Sequence, residues 1–92
     1  MTTTSIVLVG QSTEVSGLRW ESPQRLRIGR FASGVEVVLN DASVSPHHAE
    51  VLQTRVGWVV RDLGSRHGTF VNGMPVNGKQ VTLAHQDKLE LG

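Results

Sequence analysis

The sequence predicts an all-β fold, a β-sandwich of two sheets, and two observations predict it. Apolar residues come in short runs rich in β-branched side chains, and glycine, asparagine and small polar residues separate the runs. No window of about eleven residues carries apolar side chains at the spacing of an amphipathic helix. No linker or low-complexity segment divides the 92 residues, so we expect one domain over residues 1–92.

Each run is a candidate strand. The runs cover residues 5–9, 25–28, 35–39, 49–53, 58–62, 69–71, 80–83 and 88–91. In the third of them, Val35, Val37 and Leu39 fall on one face of a strand and Glu36 on the other, as a half-buried strand requires.

Two Asn-Gly pairs mark chain reversals late in the sequence. They are Asn72-Gly73 and Asn77-Gly78. Asn-Gly supplies the positive φ angles that a two-residue hairpin turn demands, so both pairs predict tight turns.

The composition disfavours several classes of partner. Nine Lys and Arg against eight Asp and Glu leave a net charge of +1, too small for diffuse binding to nucleic acid or to an anionic membrane surface. The N-terminus has no basic segment and only four consecutive apolar residues, which predicts neither a secretion signal nor a membrane span. Since cysteine is absent, we expect a cytoplasmic domain.

Three polar loops carry the candidate chemistry. They cover residues 29–34, 40–48 and 63–68, with the sequences GRFASG, NDASVSPHH and LGSRHG. Alternate connections of a sandwich emerge at the same end, so we expect these loops to converge.

A hydrolytic triad is the first alternative for these loops. Asp62, Ser65 and His67 are the residue types required, but they lie within six residues of sequence. So short a loop can hardly direct all three side chains, and no Gly-x-Ser-x-Gly turn is present. We therefore expect no enzymatic activity.

A metal site is the second alternative, resting on four histidines: His47, His48, His67 and His85. Adjacent residues of a strand point to opposite faces, so His47 and His48 cannot readily bind one ion. No carboxylate or cysteine lies at a familiar ligand spacing, and we expect neither a metal nor another cofactor.

Phosphate binding is the third alternative. Arg30, Ser45, Ser65, Arg66 and Thr69 all lie in or beside the three loops. Guanidinium groups, hydroxyls and glycine-flanked N–H groups are the donors that a phosphate monoester requires.

Four motifs, taken in order, resemble the forkhead-associated (FHA) domain. They are IGR at 28–30, SPHHAE at 45–50, DLGSRHGTFVNG at 62–73 and LAHQDKLELG at 83–92. The resemblance implies a sandwich of about eleven short strands. It also implies that loops at one end bind a phosphothreonine-containing protein or peptide.

The resemblance also implies roles for individual residues. Arg30 grips the phosphate, and Ser45 donates its hydroxyl to it. His48 braces the loops from beneath without touching the ligand. Three further residues shape the site: Gly29, Gly68 and Asn72.

The chain departs from the family pattern at three positions. Pro46 replaces an arginine, and Arg66 and His67 replace a threonine and an asparagine that face the peptide. We expect Arg66 to add a second guanidinium to the site and His67 to supply a hydrogen-bond donor and an acceptor.

The family's last strand, which pairs with the first, has no counterpart after residue 91. We therefore expect a first strand with an unpaired edge and a chain that belongs to a longer protein. Together with Pro46 and His67, this leaves a second hypothesis open, namely an FHA fold that acts as a phosphate-independent interaction or oligomerisation scaffold.

Overall fold

The protein is described by a computed structural model covering residues 6–10, 16–31, 33–76 and 78–92. Within these ranges the chain forms ten strands and no helix. The strands are β1 (Ile6–Val9), β2 (Arg19–Ser22), β3 (Arg25–Gly29), β4 (Val37–Val38), β5 (Ala49–Thr54), β6 (Gly57–Asp62), β7 (Thr69–Val71), β8 (Met74–Pro75), β9 (Val81–Thr82) and β10 (Leu89–Leu91).

The strands form three sheets. Five strands pair in the order β4-β3-β5-β6-β9, three in the order β10-β7-β8, and β1 pairs with β2. Neighbouring strands are antiparallel except for β3 and β4, which are parallel.

Alternating side chains of the five-stranded sheet form one side of the core. Leu26 and Ile28 of β3, Val51 of β5 and Val60 of β6 are all buried. Val71 of the three-stranded sheet packs in the same cluster, together with partly buried side chains of β1, β2 and β10. The smaller sheets therefore cover one face of the larger one, and the predicted all-β sandwich is confirmed.

All eight predicted runs contain a strand, with ends that agree within one residue in all but one. The exception is the run 35–39, which shortens to Val37–Val38, although Val37 is buried and Glu36 exposed as the alternation predicted. The sequence analysis missed two strands, β2 and β8. In β2, the half-buried Trp20 lies between the exposed residues Arg19 and Glu21. This is the alternation of a strand, but it contains a single apolar residue.

The first Asn-Gly turn is confirmed. Asn72 and Gly73 have φ angles of 52° and 82°, and they connect β7 to β8. The second predicted turn includes Asn77, which lies outside the described residues.

The first strand pairs with a neighbour along one edge only, within the described residues. Leu8 of β1 lies opposite Trp20 of β2, in an antiparallel register that runs over all four residues of each strand. In the part of the chain that the structure describes, the other edge of β1 pairs with no strand. No helix within that part is long and apolar enough to cross a membrane.

Candidate functional site

The three polar loops meet at one end of the five-stranded sheet. Ala49 at the start of β5 lies opposite both Ile28, near the end of β3, and Asp62, at the end of β6. The loops that adjoin these residues therefore leave the sheet together. They enclose an open groove of about 150 Å³, lined by Arg30, Ala42, Ser43, Val44, Ser45, Pro46, Arg66 and His67.

Ser45 joins the three loops. Its carbonyl oxygen accepts a hydrogen bond from the backbone N–H of Arg30 (3.1 Å). Its hydroxyl oxygen accepts one from the backbone N–H of Arg66 (3.0 Å), and its own N–H donates to Nδ1 of His48 (3.0 Å). The hydroxyl hydrogen of Ser45 is not used in these contacts, so it is available to a ligand in the groove.

His48 lies beneath the groove and does not line it. Its side chain is fully buried, with 0% exposure. Because Nδ1 accepts the hydrogen bond from Ser45, the ring is neutral and carries its proton on Nε2, which donates to the carbonyl oxygen of Gly68 (2.8 Å). The same carbonyl oxygen also accepts a hydrogen bond from the N–H of Gly92 (3.0 Å). His48 thus connects the second loop to the third.

Gly29 permits the close approach of the first two loops. A Cβ atom at this position would overlap the carbonyl oxygen of Pro46 and lie 3.1 Å from a side-chain carbon of Val35. Only glycine fits between the end of β3 and the second loop without moving the backbone.

Asp62 organises the third loop, a role that the sequence analysis missed. Its carboxylate accepts hydrogen bonds from the backbone N–H groups of Gly64 (3.0 Å) and Ser65 (2.9 Å) and from the hydroxyls of Ser65 and Thr69. The hydroxyl of Ser65 in turn accepts from the N–H of Gly68 (2.9 Å).

These hydrogen bonds bear on two of the alternatives for the loops, phosphate binding by Ser65 and Thr69 and the catalytic triad. Ser65 and the buried Thr69 direct their hydroxyl groups into the loop itself, so the structure does not offer them to a phosphate in the groove. The hydroxyl proton of Ser65 goes to the carboxylate of Asp62 and not to an imidazole, so the order of hydrogen bonds in a catalytic triad is not formed.

The environment of Asp62 makes the third loop sensitive to acid. Partial burial raises the pKa of the carboxyl, but the hydrogen bonds from Ser65, Thr69 and Gly64 lower it by more, so its pKa falls below the ordinary 3.8. A carboxyl whose pKa is lowered by folding stabilises the fold above about pH 3.8, and this contribution is lost as the pH falls through its folded pKa.

We therefore expect Asp62→Asn to destabilise the domain at neutral pH, because an amide nitrogen cannot accept from the N–H and O–H donors. The difference in urea midpoint between wild type and variant should narrow as the pH falls from about 7 to about 2. A difference that stays constant over this range would show that the charge of Asp62 does not support the loop.

Arg30 and Arg66 give the groove its positive charge. Arg30 is partly buried and Arg66 is exposed, as is His67. Among the described residues, the ion pairs involve Arg25, Arg27 and Arg61, and none involves either guanidinium of the groove. No carboxylate of the described residues lines the groove, so among them nothing neutralises its two guanidiniums.

Asp41 directly precedes the groove residues of the second loop, and its carboxylate is hydrogen-bonded within that loop. Its carboxylate accepts hydrogen bonds from the hydroxyl (2.7 Å) and the N–H (2.9 Å) of Ser43, and these bonds lower its pKa. Asp41 therefore stays ionised and hydrogen-bonded to the loop.

Asn72 was expected to shape the site from the turn after the third loop. β7 starts at Thr69, beside the third loop, and Asn72 follows its far end. The side chain of Asn72 donates to Asp87 (2.9 Å) and accepts from the N–H of Lys88 (2.9 Å). Asn72 thus fastens the β7–β8 turn to the segment that precedes β10.

The four histidines were the candidates for a metal site. Within the described ranges, no three His, Cys, Asp or Glu side chains are grouped closely enough to hold a metal ion. His47 is exposed and His48 is buried, which matches the opposite directions expected of adjacent residues.

Known proteins resemble the chain in sequence and in fold. The FHA domain-containing protein At4g14490 of Arabidopsis thaliana is 32% identical over 88 residues, which cover 95% of this chain and 23% of that protein. An FHA domain solved in a study of phosphothreonine-dependent FHA domain interactions superposes with a TM-score of 0.80 at 32% identity, covering 97% of this chain and 88% of that chain.

EmbR of Mycobacterium tuberculosis, solved in complex with a low-affinity phosphopeptide, superposes with a TM-score of 0.75 at 32% identity, covering 83% of this chain and 20% of that chain. The chain therefore spans less than a quarter of the length of the Arabidopsis protein and of EmbR. The sequence profile of the family described as the FHA domain matches residues 26–92 and includes all three loops of the groove. With this match and the geometry of its loops, the chain belongs to the FHA domain family.

Proposed function

We propose that this domain is a non-catalytic signalling module that binds phosphothreonine in a partner protein or peptide. The observation that carries the proposal is the groove at the loop end of the sandwich, which Arg30, Arg66 and Ser45 line and to which no carboxylate of the described residues contributes. His67 completes the polar lining. The proposed phosphopeptide-binding residues are Arg30, Ser45, Arg66 and His67.

The chemistry of the groove matches a phosphate monoester. At neutral pH this group carries a charge of about −1.5 to −2, which two guanidiniums balance. Each guanidinium can form two parallel hydrogen bonds to phosphate oxygens, and the hydroxyl hydrogen of Ser45 is free to add another. A sulfate monoester or a single carboxylate carries less negative charge than a phosphate monoester, so a phosphate monoester is the favoured ligand.

The loops reach this arrangement through residues that do not touch the ligand. Gly29 allows the first two loops to approach, and His48 holds the second loop to the carbonyl of Gly68 in the third. In the proposed function Gly29, His48 and Gly68 shape the site. The peptide is contacted by Arg30, Ser45, Arg66 and His67.

The proteins with similar folds support this reading. One FHA domain was studied for its phosphothreonine-dependent interactions, and EmbR was solved with a phosphopeptide. Both are 32% identical to this chain. We propose the same ligand class here, in a cytoplasmic protein with neither nucleic acid nor membrane as a partner.

The proposal is tested by calorimetry with three matched peptide pools that carry phosphothreonine, phosphoserine or unmodified threonine at one fixed position. We expect the phosphothreonine pool to bind more tightly than the threonine pool by about tenfold or more, because only the phosphate engages both guanidiniums. The phosphoserine pool measures how far the groove distinguishes the two phosphorylated residues. Equal affinity for all three pools would contradict the proposal and favour a phosphate-independent scaffold.

A further inference from the structure

Phe31 lies directly after Arg30 and is exposed to an unusual degree for an aromatic side chain. Its exposure is 54%, so the ring contributes little to the core of the sandwich. The guanidinium carbon of Arg30 lies 4.9 Å from the centre of the ring, within the range of a cation–π interaction. The aromatic ring therefore contacts the cation that the proposed function assigns to the phosphate.

The rest of Arg30 is held by the protein as well. Its backbone N–H donates to the carbonyl oxygen of Ser45. Its Nε atom is buried and has no hydrogen-bond partner in the described part of the chain. With Nε buried and the ring of Phe31 against the group, the two terminal nitrogens of Arg30 are the donors left for a ligand.

A cation–π contact suits this position because it orients a guanidinium without neutralising it. On the outer face of the five-stranded sheet, the guanidinium of Arg61 is oriented by Glu50 at 2.8 Å, and that of Arg27 by Glu36 at 3.2 Å. A carboxylate beside Arg30 would cancel the charge that attracts the phosphate. The ring of Phe31 limits the rotamers of Arg30 and leaves its full charge to the groove.

We propose that Phe31 is a positioning residue that holds the guanidinium of Arg30 towards the phosphate. This inference rests on the proposed function, since it concerns how the same site binds its ligand. Phe31 acts through Arg30 and not through the peptide residues beside the phosphothreonine.

The test compares Phe31→Ala, Phe31→Leu and Phe31→Trp with two ligands. One ligand is a phosphothreonine peptide, and the other is N-acetyl-phosphothreonine methylamide, which has no neighbouring residues. Affinities are measured by NMR titration, and the melting temperature of each variant is recorded. We expect Phe31→Ala and Phe31→Leu to lower the affinity for both ligands by about three- to fivefold. We expect the affinity of Phe31→Trp to stay within about twofold of wild type.

The leucine variant separates a cation–π contact from general apolar contact. If leucine binds as well as phenylalanine, the ring is not required and the inference is overturned. If Phe31→Ala weakens the peptide but not the minimal ligand, Phe31 contacts the peptide directly, and the inference is likewise overturned. Since the side chain is exposed, we expect all three variants to melt close to wild type.

A double variant distinguishes failure of this inference from failure of the proposed function. If Phe31 acts through Arg30, Phe31→Ala has no further effect on peptide binding once Arg30→Ala is present. If Arg30→Ala itself leaves binding unchanged, the proposed site is wrong and the role of Phe31 falls with it. If Arg30→Ala weakens binding and Phe31→Ala does not, the site stands and only the role of Phe31 is rejected.

Discussion

Arg30→Ala is expected to weaken binding of a phosphothreonine peptide by at least about tenfold. A hydrogen bond to a charged group contributes about 1.5 to 3 kcal/mol, and each 1.4 kcal/mol changes a dissociation constant about tenfold. Arg30 lines the groove and makes no ion pair among the described residues, so its charge is available to the ligand. Isothermal titration calorimetry measures the loss.

Arg55→Ala is the matched control for this prediction. Arg55 is exposed in the turn between β5 and β6, at the end of β5 remote from the loops. The six residues of β5 span about 20 Å, so this variant removes the same charge far from the groove. If both variants weaken binding equally, the effect comes from net charge and the groove is not the site. Unchanged affinity of a folded Arg30→Ala domain would also place the site elsewhere.

His48→Ala is expected to lower the stability of the domain, with or without ligand. The substitution leaves the N–H of Ser45 without its acceptor and opens a cavity where the buried ring lies. The carbonyl of Gly68 keeps its hydrogen bond from the N–H of Gly92. The variant therefore loses less free energy of unfolding than it would if two buried polar groups were left unsatisfied. We expect a cost of about 2 to 4 kcal/mol and a fall in Tm of about 10 to 25 °C.

His47→Ala is the control, because it removes the same side chain from an exposed neighbouring position. Its Tm, measured by calorimetry or circular dichroism, should stay near wild type. A His48→Ala domain that melts like wild type but no longer binds phosphopeptide would mean that His48 contacts the ligand and does not brace the loops.

The strands were predictable because they follow from local pattern. Alternation of buried and exposed side chains, with glycine or asparagine between runs, depends on residues that are neighbours in sequence. β2 was missed because its one large apolar residue, Trp20, stands between two charged residues and gives a weak signal. The pairing of β1 with β2 depends on contacts across a long connection, which no local pattern encodes.

The site was predictable in its loops and less so in its hydrogen bonds. Motif order identified the loops that form the groove, and the sheet brings them together. Whether a hydroxyl faces the ligand or the loop depends on which acceptor folding places beside it. Ser65 and Thr69 bind Asp62 for this reason, and Asn72 binds Asp87 and Lys88. An Asp three residues before a Ser is a signal for such a loop-closing turn.

The three hydrogen bonds at Ser45 have a consequence for the thermodynamics of recognition. Its carbonyl bonds to the first loop, its hydroxyl to the third, and its N–H to His48, whose ring also bonds to Gly68 of the third loop. Opening one loop therefore disturbs the contacts of the other two. The loops therefore order as one cooperative unit when the domain folds. Much of the conformational entropy of forming the groove is lost at that stage, so a peptide meets a preorganised surface and retains more of its interaction energy as affinity.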